Sequence, residues 1–296
     1  MSQPPPPVPY EIPSGVEMAQ VRALLATLRK LHAPVFLDID RVPDAGPMLF
    51  VGNHSLYAML DAPQFFMELL DRKGIFVRGL GHHVHFRVPI WGPLLTRWGV
   101  VDGTRENCAR LMEAGESVMV FPGGGREAAK RKGEEYQLIW KERLGFVKMA
   151  IAHGCPIVPW AALGADEAWT IVMDRDDLLA SEHAGLIEAV YGALNVPLDQ
   201  VLPLAHGLGP TLWPRPVRLY FSVAEPIPTA HLQGRQDDDA VCWQVRRQVE
   251  AAINGELDRL RALRDEDPMR SFRSRLLKAA SRRLARLESS SGPSRA

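Results

Sequence analysis

The alternation of short apolar runs with helical patterns is the feature that most limits how this chain can fold. Five runs have the length and composition of buried strands: residues 47–52, 74–79, 117–122, 156–163 and 217–223. Helical patterns lie between most of them, and one begins near Asp61, with Pro63 in its first turn and Gly74 at its end. This order predicts an α/β fold, a single domain with a mixed, largely parallel sheet flanked by helices.

The two ends of the chain differ in character from this central part. Residues 1–14 contain four consecutive prolines and predict a disordered tail, and residues 15–46 predict a helix followed by a connector. We expect the α/β domain over residues 47–228 and a helical segment over residues 229–268. Residues 269–296 predict a basic amphipathic helix with a flexible end.

The basic helix has a composition suited to a membrane surface. Residues 269–287 carry seven basic side chains and no acidic one, while apolar residues recur near a 3.6-residue period. This pattern predicts a helix lying in an anionic membrane interface. The alternative is a solvated basic helix that packs on the protein through its leucines.

Overall composition excludes several classes of protein. The 35 basic residues balance the 35 acidic ones, so no net charge draws the whole chain to nucleic acid. Three cysteines without a C-x-x-C pair predict neither a disulfide framework nor a structural zinc site. The sequence also predicts neither a signal peptide nor a transmembrane helix, because no run approaches about 18 apolar residues.

The stretch "VGNHSLYAMLDAP", residues 51–63, places a histidine directly after a predicted strand. A neutral imidazole can accept a proton from a hydroxyl near pH 7 if a carboxylate or carbonyl fixes its tautomer. His54 is therefore a candidate base, and Asp61 is the nearest carboxylate. The alternative is a structural histidine at a strand end, with Asp61 capping the next helix.

A second stretch, "FPGGGRE", follows another predicted strand. The glycines at 123–125 allow backbone N–H groups to approach an anion or an oxyanion, and Arg126 adds a forked cation. The alternative is a tight turn whose glycines serve only its geometry. The spacing fits neither a P-loop nor a dinucleotide-binding motif.

Two further stretches have a weaker chemical signal. Arg97 and Arg105 lie among tryptophans and apolar residues, which suits an apolar chain joined to an anionic head, although a core helix with a polar loop is the alternative. The histidines of "HHVH", His82, His83 and His85, suggest a metal site. On an extended segment they would point to opposite faces, so we predict no metal.

Taken in order, four blocks resemble the motifs of the glycerolipid and lysophospholipid acyltransferase superfamily, the PlsC-like proteins. They are "NHSLYAMLD", "GVVDGTREN", "FPGGGRE" and "PIVPW", within about residues 47–227. The segment that begins with "FPGGGRE" is most similar to the branch with diacylglycerol acyltransferase-like proteins and phytyl ester synthases. The resemblance implies an α/β acyltransferase domain that moves a fatty acyl group from a thioester to a lipid hydroxyl.

The same resemblance implies roles for particular residues. His54 would be the general base and Asp61 its orienting carboxylate. The implied substrate-binding residues are Asn53, Arg105, Gly123, Gly124, Gly125, Arg126 and Glu127. The family chemistry requires no metal and no cofactor, with acyl-CoA or acyl-carrier protein as co-substrate.

Two departures from the family pattern bear on this assignment. Met59 stands where the family has its aspartate, and a straight helix would separate the Cα atoms of His54 and Asp61 by about 10.5 Å along its axis. An irregular turn must therefore bring them together. Gly123 replaces a glutamate common in lysophosphatidic acid acyltransferases, so a neutral lipid alcohol is one candidate acceptor, while the retained Arg126 leaves phosphate binding as the alternative.

Two other functions remain open on the sequence alone. One is a thioesterase or lipid hydrolase, in which the same base activates water, although no G-x-S-x-G motif is present. The other is a non-catalytic lipid-binding membrane protein. For the transferase, we expect a cytoplasmic protein held peripherally at the inner face of the cell membrane, and the sequence indicates no oligomeric state.

Overall fold

The computed structural model describes residues 12–290, with side chains described as far as residue 283. Most of the proline-rich tail and the last six residues lie outside the described residues. The helices of the described chain are α1 (Gly15–His32), α2 (Ala62–Lys73), α3 (His83–Arg87), α4 (Trp91–Arg97), α5 (Arg105–Glu113), α6 (Gly124–Ala128), α7 (Gly145–His153), α8 (Arg175–Leu179), α9 (Ala184–Ala193), α10 (Asp239–Glu266) and α11 (Phe272–Ser290). The strands are β1 (Val35–Leu37), β2 (Leu49–Gly52), β3 (Val77–Gly81), β4 (Val101–Asp102), β5 (Ser117–Val120), β6 (Ile157–Leu163), β7 (Thr170–Met173), β8 (Leu204–His206) and β9 (Tyr220–Val223).

Seven of these strands form one mixed sheet in the order β1-β9-β6-β2-β5-β3-β4. Strands β6, β2, β5, β3 and β4 are parallel to one another, whereas β9 runs antiparallel to β6 and pairs in parallel with β1. The predicted α/β class and the mixed, largely parallel sheet are therefore confirmed. The two remaining strands, β7 and β8, form a separate antiparallel pair.

Apolar side chains cover both faces of the sheet, as a largely parallel sheet requires. Along β2, Leu49 and Val51 join the core beneath α5, α7 and α10, while Phe50 joins the opposite core with Phe65 of α2. Successive side chains of a strand point to opposite faces, which explains this division. All four residues of β2 are buried, so the strand holds the start of the following loop in a fixed position.

Local signals set the ends of several helices. A capping box of Ser14 and Glu17 begins α1, with the Ser14 hydroxyl accepting from the Glu17 N–H. Gly74 ends α2 in the left-handed conformation that favours glycine. The five predicted strands all appear in the main sheet, whereas β1 and β4 are too short to have been detected from their composition.

The C-terminal helices lie against the body of the domain. Helix α10 packs against β6 and β9, and its buried side chains include Val245, Val249 and Ile253. At the start of α11, Arg275 donates hydrogen bonds to the carbonyl oxygens of Leu31 and Pro216 at 2.9 and 2.8 Å. None of the helices between residues 12 and 290 combines the length and the apolar character needed to cross a bilayer.

Candidate active site

The two motifs at the candidate site follow adjacent parallel strands. Asn53 and His54 come after β2, and the segment that begins with Phe121 comes after β5, the neighbour of β2 in the sheet. The carboxyl ends of parallel strands meet at one edge of a sheet, where α/β proteins place their ligands. The fold thus brings together two motifs that lie far apart in the sequence.

An irregular turn connects His54 to Asp61. Residues 56–58 form a short 3₁₀ turn in which Tyr57 and Ala58 both have positive φ values, 61° and 58°. Such values are uncommon for residues with a side chain, and they reverse the direction of the chain within a few residues. The regular helix α2 then starts only at Ala62, as the sequence predicted.

The imidazole of His54 is held between an aromatic ring and a carboxylate. Its ring stacks on Phe121 with a centroid separation of 3.8 Å and an interplanar angle of 10°. Nδ1 lies 3.9 Å from Asp61 Oδ2 and has no hydrogen-bond partner among the described residues. Because Nδ1 is buried while 13% of the side chain is exposed, Nε2 is the nitrogen available to a substrate.

The 3.9 Å separation between Nδ1 and Asp61 Oδ2 is longer than a direct hydrogen bond, but a movement of about 1 Å would close it. Catalytic hydrogen bonds are often long without substrate and shorten in the complex. Burial acts to raise the pKa of Asp61, but nearby His54 and the N–H groups of Ala62 and Ser55 outweigh it and hold the pKa below its ordinary value. Asp61 is thus an ionised carboxylate beside the ring, and it also accepts from the first N–H of α2.

Asn53 has a different role from the predicted one. Its amide nitrogen donates to the carbonyl oxygen of Ala162 at 2.9 Å, and its amide oxygen accepts from the Ala162 N–H at 2.8 Å. The side chain is fully buried, and both ends of the amide are used. We therefore revise the substrate-binding assignment: Asn53 anchors the loop to β6.

Glu127 also faces the protein rather than a substrate. Its Oε1 accepts from the His54 N–H at 3.0 Å, and the side chain is fully buried. A Cβ atom at Gly123 would overlap Oε2 of Glu127, so only glycine leaves room for this carboxylate. Burial raises the pKa of Glu127 to about 7, although Lys130 and the bond from His54 oppose the rise.

Arg126 is paired within the protein, which revises its predicted role in phosphate binding. Its two terminal nitrogens bond Glu134 at 2.9 and 2.5 Å, and one of them also donates to the Ala129 carbonyl oxygen. Arg126 is buried and Glu134 is partly buried, and the bidentate pair leaves the guanidinium engaged on both sides. Arg126 therefore stabilises the loop that follows α6.

The three glycines form the start of α6, and close packing limits what can replace them. A Cβ atom at Gly125 would overlap the side-chain oxygen of Gln200. The N–H of Gly124 donates to the Phe121 carbonyl oxygen at 2.9 Å, which closes the turn after β5. The N–H groups of Gly123 and Gly125 are therefore the candidates for an oxyanion.

Arg105 lies at the first turn of α5, beside a cavity of about 580 Å³. The same cavity is lined by Pro122 from the segment after β5, and by Arg143 and Lys148. Lys148 pairs with Asp239, and Arg143 donates to the Pro122 carbonyl oxygen. Arg105 thus lies beside the glycine segment in a cavity that both basic and acidic side chains line, Glu142 and Asp239 among the acidic ones, and its role in substrate binding stays a prediction.

The three histidines of "HHVH" do not lie on an extended segment, so that part of the prediction is wrong. His82 caps α3, with its Nδ1 accepting from the Val84 N–H at 3.4 Å, and His83 and His85 belong to the helix. Burial lowers the pKa of both His82 and His85. No group of three or more His, Cys, Asp or Glu side chains in the described part of the chain is arranged to hold a metal ion.

Two features of this region were missed in the sequence. Asp166 and Lys130 are buried near the His54 loop, with the Asp166 carboxylate accepting from the Leu56 N–H at 2.7 Å. In addition, α9 has no buried residue and exposes Leu186 and Val190, and Leu194 directly after the helix is also exposed.

Comparison with known proteins shows which proteins the region of the candidate site is similar to. Residues 35–162 match the family model described as Acyltransferase. This range contains β2, β5 and the loops that carry His54, Asp61 and Glu127. The match to the Acyltransferase model therefore spans the candidate site.

Three similar proteins indicate which kinds of acyltransferase the chain resembles. Phytyl ester synthase 2 of Arabidopsis thaliana is 29% identical over 87% of this chain and 38% of its own length, and phytyl ester synthase 1 is 32% identical over 79% and 35%. The DGAT1/2-independent enzyme synthesizing storage lipids of Bos taurus is 31% identical over 47% of this chain and 42% of its own length. The chain is thus similar to lipid acyltransferases of these kinds, and it spans between a third and a half of the length of these relatives.

Proposed function

We propose that this protein is an O-acyltransferase that moves a fatty acyl group from a thioester to the hydroxyl of a lipid. The observation that carries the proposal is the position of His54, stacked on Phe121 with Nδ1 toward an ionised Asp61 and Nε2 available. This is the arrangement that a general base acting on a hydroxyl needs. The match of this region to the Acyltransferase model supports the same chemistry.

The reaction proceeds without an acyl-enzyme intermediate. Nε2 of His54 removes the proton of the acceptor hydroxyl as its oxygen attacks the thioester carbonyl carbon. The N–H groups of Gly123 and Gly125 stabilise the oxyanion. When the C–S bond breaks, the imidazolium returns its proton to the leaving thiolate, so that His54 ends neutral and the products are an ester and a free thiol.

The donor is acyl-CoA or acyl-carrier protein, and the acceptor is a neutral lipid alcohol. Arg126, which would hold an acceptor phosphate, is occupied by Glu134. Arg105 remains for the phosphate of the donor, in the cavity beside the glycine segment. The similarity to phytyl ester synthases, whose name refers to the ester of an uncharged alcohol, supports this choice of acceptor.

Mass spectrometry of lipid extracts tests the proposed function in cells. Cells that produce the protein should accumulate esters of one class of lipid alcohol, and cells that produce the His54→Ala variant should not. The class that accumulates identifies the acceptor. Identical lipid profiles in the two strains, with equal amounts of folded protein, would contradict the proposal.

Replacing Arg105 with alanine should weaken binding of the donor. We expect KM for the acyl thioester to rise about tenfold with little change in kcat, because a phosphate contact made equally in the ground and transition states affects binding alone. Arg110→Ala on the same helix is the matched control, since Arg110 is exposed and pairs with Glu106. An unchanged KM in the Arg105 variant would remove this residue from the donor site.

We further propose that the protein binds membranes peripherally through α11. Leu276 and Leu277 of this helix are 53% and 60% exposed, so they are free to enter a lipid surface, while Arg275 fastens the helix to the body. Basic residues on the same helix would meet anionic headgroups. The exposed leucines favour this role over the alternative of a helix packed on the protein.

Sedimentation with vesicles tests this role. The double variant Leu276→Ser/Leu277→Ser should bind anionic vesicles several-fold more weakly, because it removes apolar area without changing charge. Leu24→Ser, an equally exposed leucine on α1, is the control. The variant Leu186→Ser/Val190→Ser measures separately whether the exposed residues of α9 contribute to vesicle binding. Unchanged binding of the α11 variant would refute the role of that helix.

A further inference from the structure

Three successive backbone N–H groups at the candidate base each donate to a different buried carboxylate. We call this set of carboxylates (Asp61, Glu127 and Asp166) the carboxylate clamp. The donor–acceptor distances are 3.0 Å from His54 N to Glu127 Oε1, 2.9 Å from Ser55 N to Asp61 Oδ2, and 2.7 Å from Leu56 N to Asp166 Oδ1. The clamp therefore fixes the backbone of the residue that carries the imidazole.

The clamp collects its members from separate parts of the fold. Asp61 precedes α2, Glu127 belongs to α6, and Asp166 lies in the turn after β6. All three are almost completely buried. Placing several negative charges in a medium of low polarity is costly unless an opposite charge compensates them.

Lys130 supplies a buried positive charge at this point. Its side chain is 1% exposed, and Nζ lies 3.7 Å from Asp166 Oδ2 without a hydrogen-bond partner in the described chain. Oε2 of Glu127 is likewise buried without a hydrogen bond to any described residue. Burial raises the pKa of Glu127 to about 7 and that of Asp166 to about 6, and attraction to Lys130 opposes both shifts.

We propose that Lys130 is the shared counter-cation of the carboxylate clamp and, through it, a positioning residue for His54. A charged carboxylate accepts from an N–H about twice as strongly as a neutral group does. By lowering the pKa of Glu127 and of Asp166, Lys130 increases the ionised fraction of each carboxyl group and so strengthens the N–H bonds of His54 and Leu56. The role in catalysis rests on the proposed function, whereas the charge coupling does not.

Other charged groups also face this cluster. His54 lies on the side of the candidate site, and Glu135 adds a negative charge that acts on Asp166. A cavity of about 350 Å³ borders the cluster and is also lined by Lys132, Glu167 and Arg215. Lys132 is half exposed and pairs with Asp177, Arg215 bonds the backbone of Glu167, and Glu167 pairs with Arg264. Lys130 is thus the buried cation next to Asp166.

The test replaces Lys130 with methionine, which keeps much of its length but removes the charge. We expect kcat to fall about 10- to 100-fold, as when a catalytic group loses its position, and the acidic limb of the pH–rate profile to move to higher pH. KM for the acyl thioester should stay the same. Lys130→Arg should restore the pH profile, and Lys132→Met, the matched control, should leave activity unchanged.

A double-variant cycle separates this role from simple packing. In the Glu127→Gln background, which lacks one negative charge of the clamp, Lys130→Met should cost far less than it does alone. The double variant loses one negative and one positive charge, so its activity can be measured even if Lys130→Met alone fails to fold. Additive losses, or a reduced kcat with an unmoved pH profile, would overturn the proposal.

Stability measured against pH tests the charge coupling without any activity. Since burial raises the native pKa of Glu127 from 4.5 to about 7, the native state binds more protons than the unfolded state in this range, and the unfolding free energy contributed by this group falls as pH rises. Lys130→Met should extend that fall above pH 7. Parallel curves for the variant and the parent would contradict the proposal, whereas the predicted curves in a protein without transferase activity would refute only the proposed function.

Discussion

Replacing His54 with alanine is expected to lower kcat for acyl transfer by about 10²- to 10⁴-fold, the range for loss of a general base. The remaining N–H donors and the bound thioester would leave a residual rate above that in water. Among the described residues, Nδ1 has no hydrogen-bond partner that the fold depends on, and the backbone N–H to Glu127 is kept. We therefore expect a folded variant, measured by steady-state kinetics at saturating donor and acceptor.

His231→Ala is the matched control, since that histidine is exposed in a turn between β9 and α10. It should retain the parent activity. Retained ester formation in the His54 variant would remove His54 as the base and with it the mechanism.

Replacing Asp61 with asparagine should also lower kcat, by about 10²-fold or more, while the loop keeps its shape. The amide oxygen of the variant can still accept from one of the N–H groups of Ser55 and Ala62, but the side chain loses the charge that stabilises the imidazolium and can favour the wrong tautomer. Rescue by Asp61→Glu would be partial, because the longer side chain must fit a site with no exposed area. A kcat close to that of the parent would reduce Asp61 to a helix cap.

The same substitution has a predictable effect on stability. The native pKa of Asp61 is lower than the unfolded value, so its contribution to the unfolding free energy is present above about pH 4 and is lost as pH falls through the native pKa. Asp61→Asn should remove this part of the acid dependence. Denaturation curves from about pH 2 to about pH 7 measure it, and an unchanged acid limb would contradict the ionised state assigned to Asp61.

Local patterns were sufficient to predict most of the fold. The apolar run at Leu49–Gly52, the cap at Asp61 and the terminator Gly74 all act within a few residues, and the structure uses them as expected. Strands β1 and β4 have only three and two residues, so they carry too little pattern to be recognised. The histidines after β3 were assigned to an extended segment, but they form a short helix.

The site was predictable only where its residues share a motif. His54 and Glu127 could be singled out from their own stretches, but the bond between them joins positions 73 residues apart. Asn53 was predicted to bind substrate, and its bond to the backbone of Ala162 could not be foreseen because the two residues lie 109 positions apart. Asp166 and Lys130 have no motif of their own, and only the folded chain places them together.

The most direct test of the central claim is the fate of the acyl group when the purified protein receives an acyl thioester with and without a lipid alcohol. Mass spectrometry of the products would count ester and free fatty acid for each thiol released. We expect thiol release to depend on the alcohol and to yield one ester per thiol. Release of free fatty acid at a rate unaffected by the alcohol would identify a hydrolase, and no thiol release with any acceptor would identify a binding protein. Either result would contradict the account.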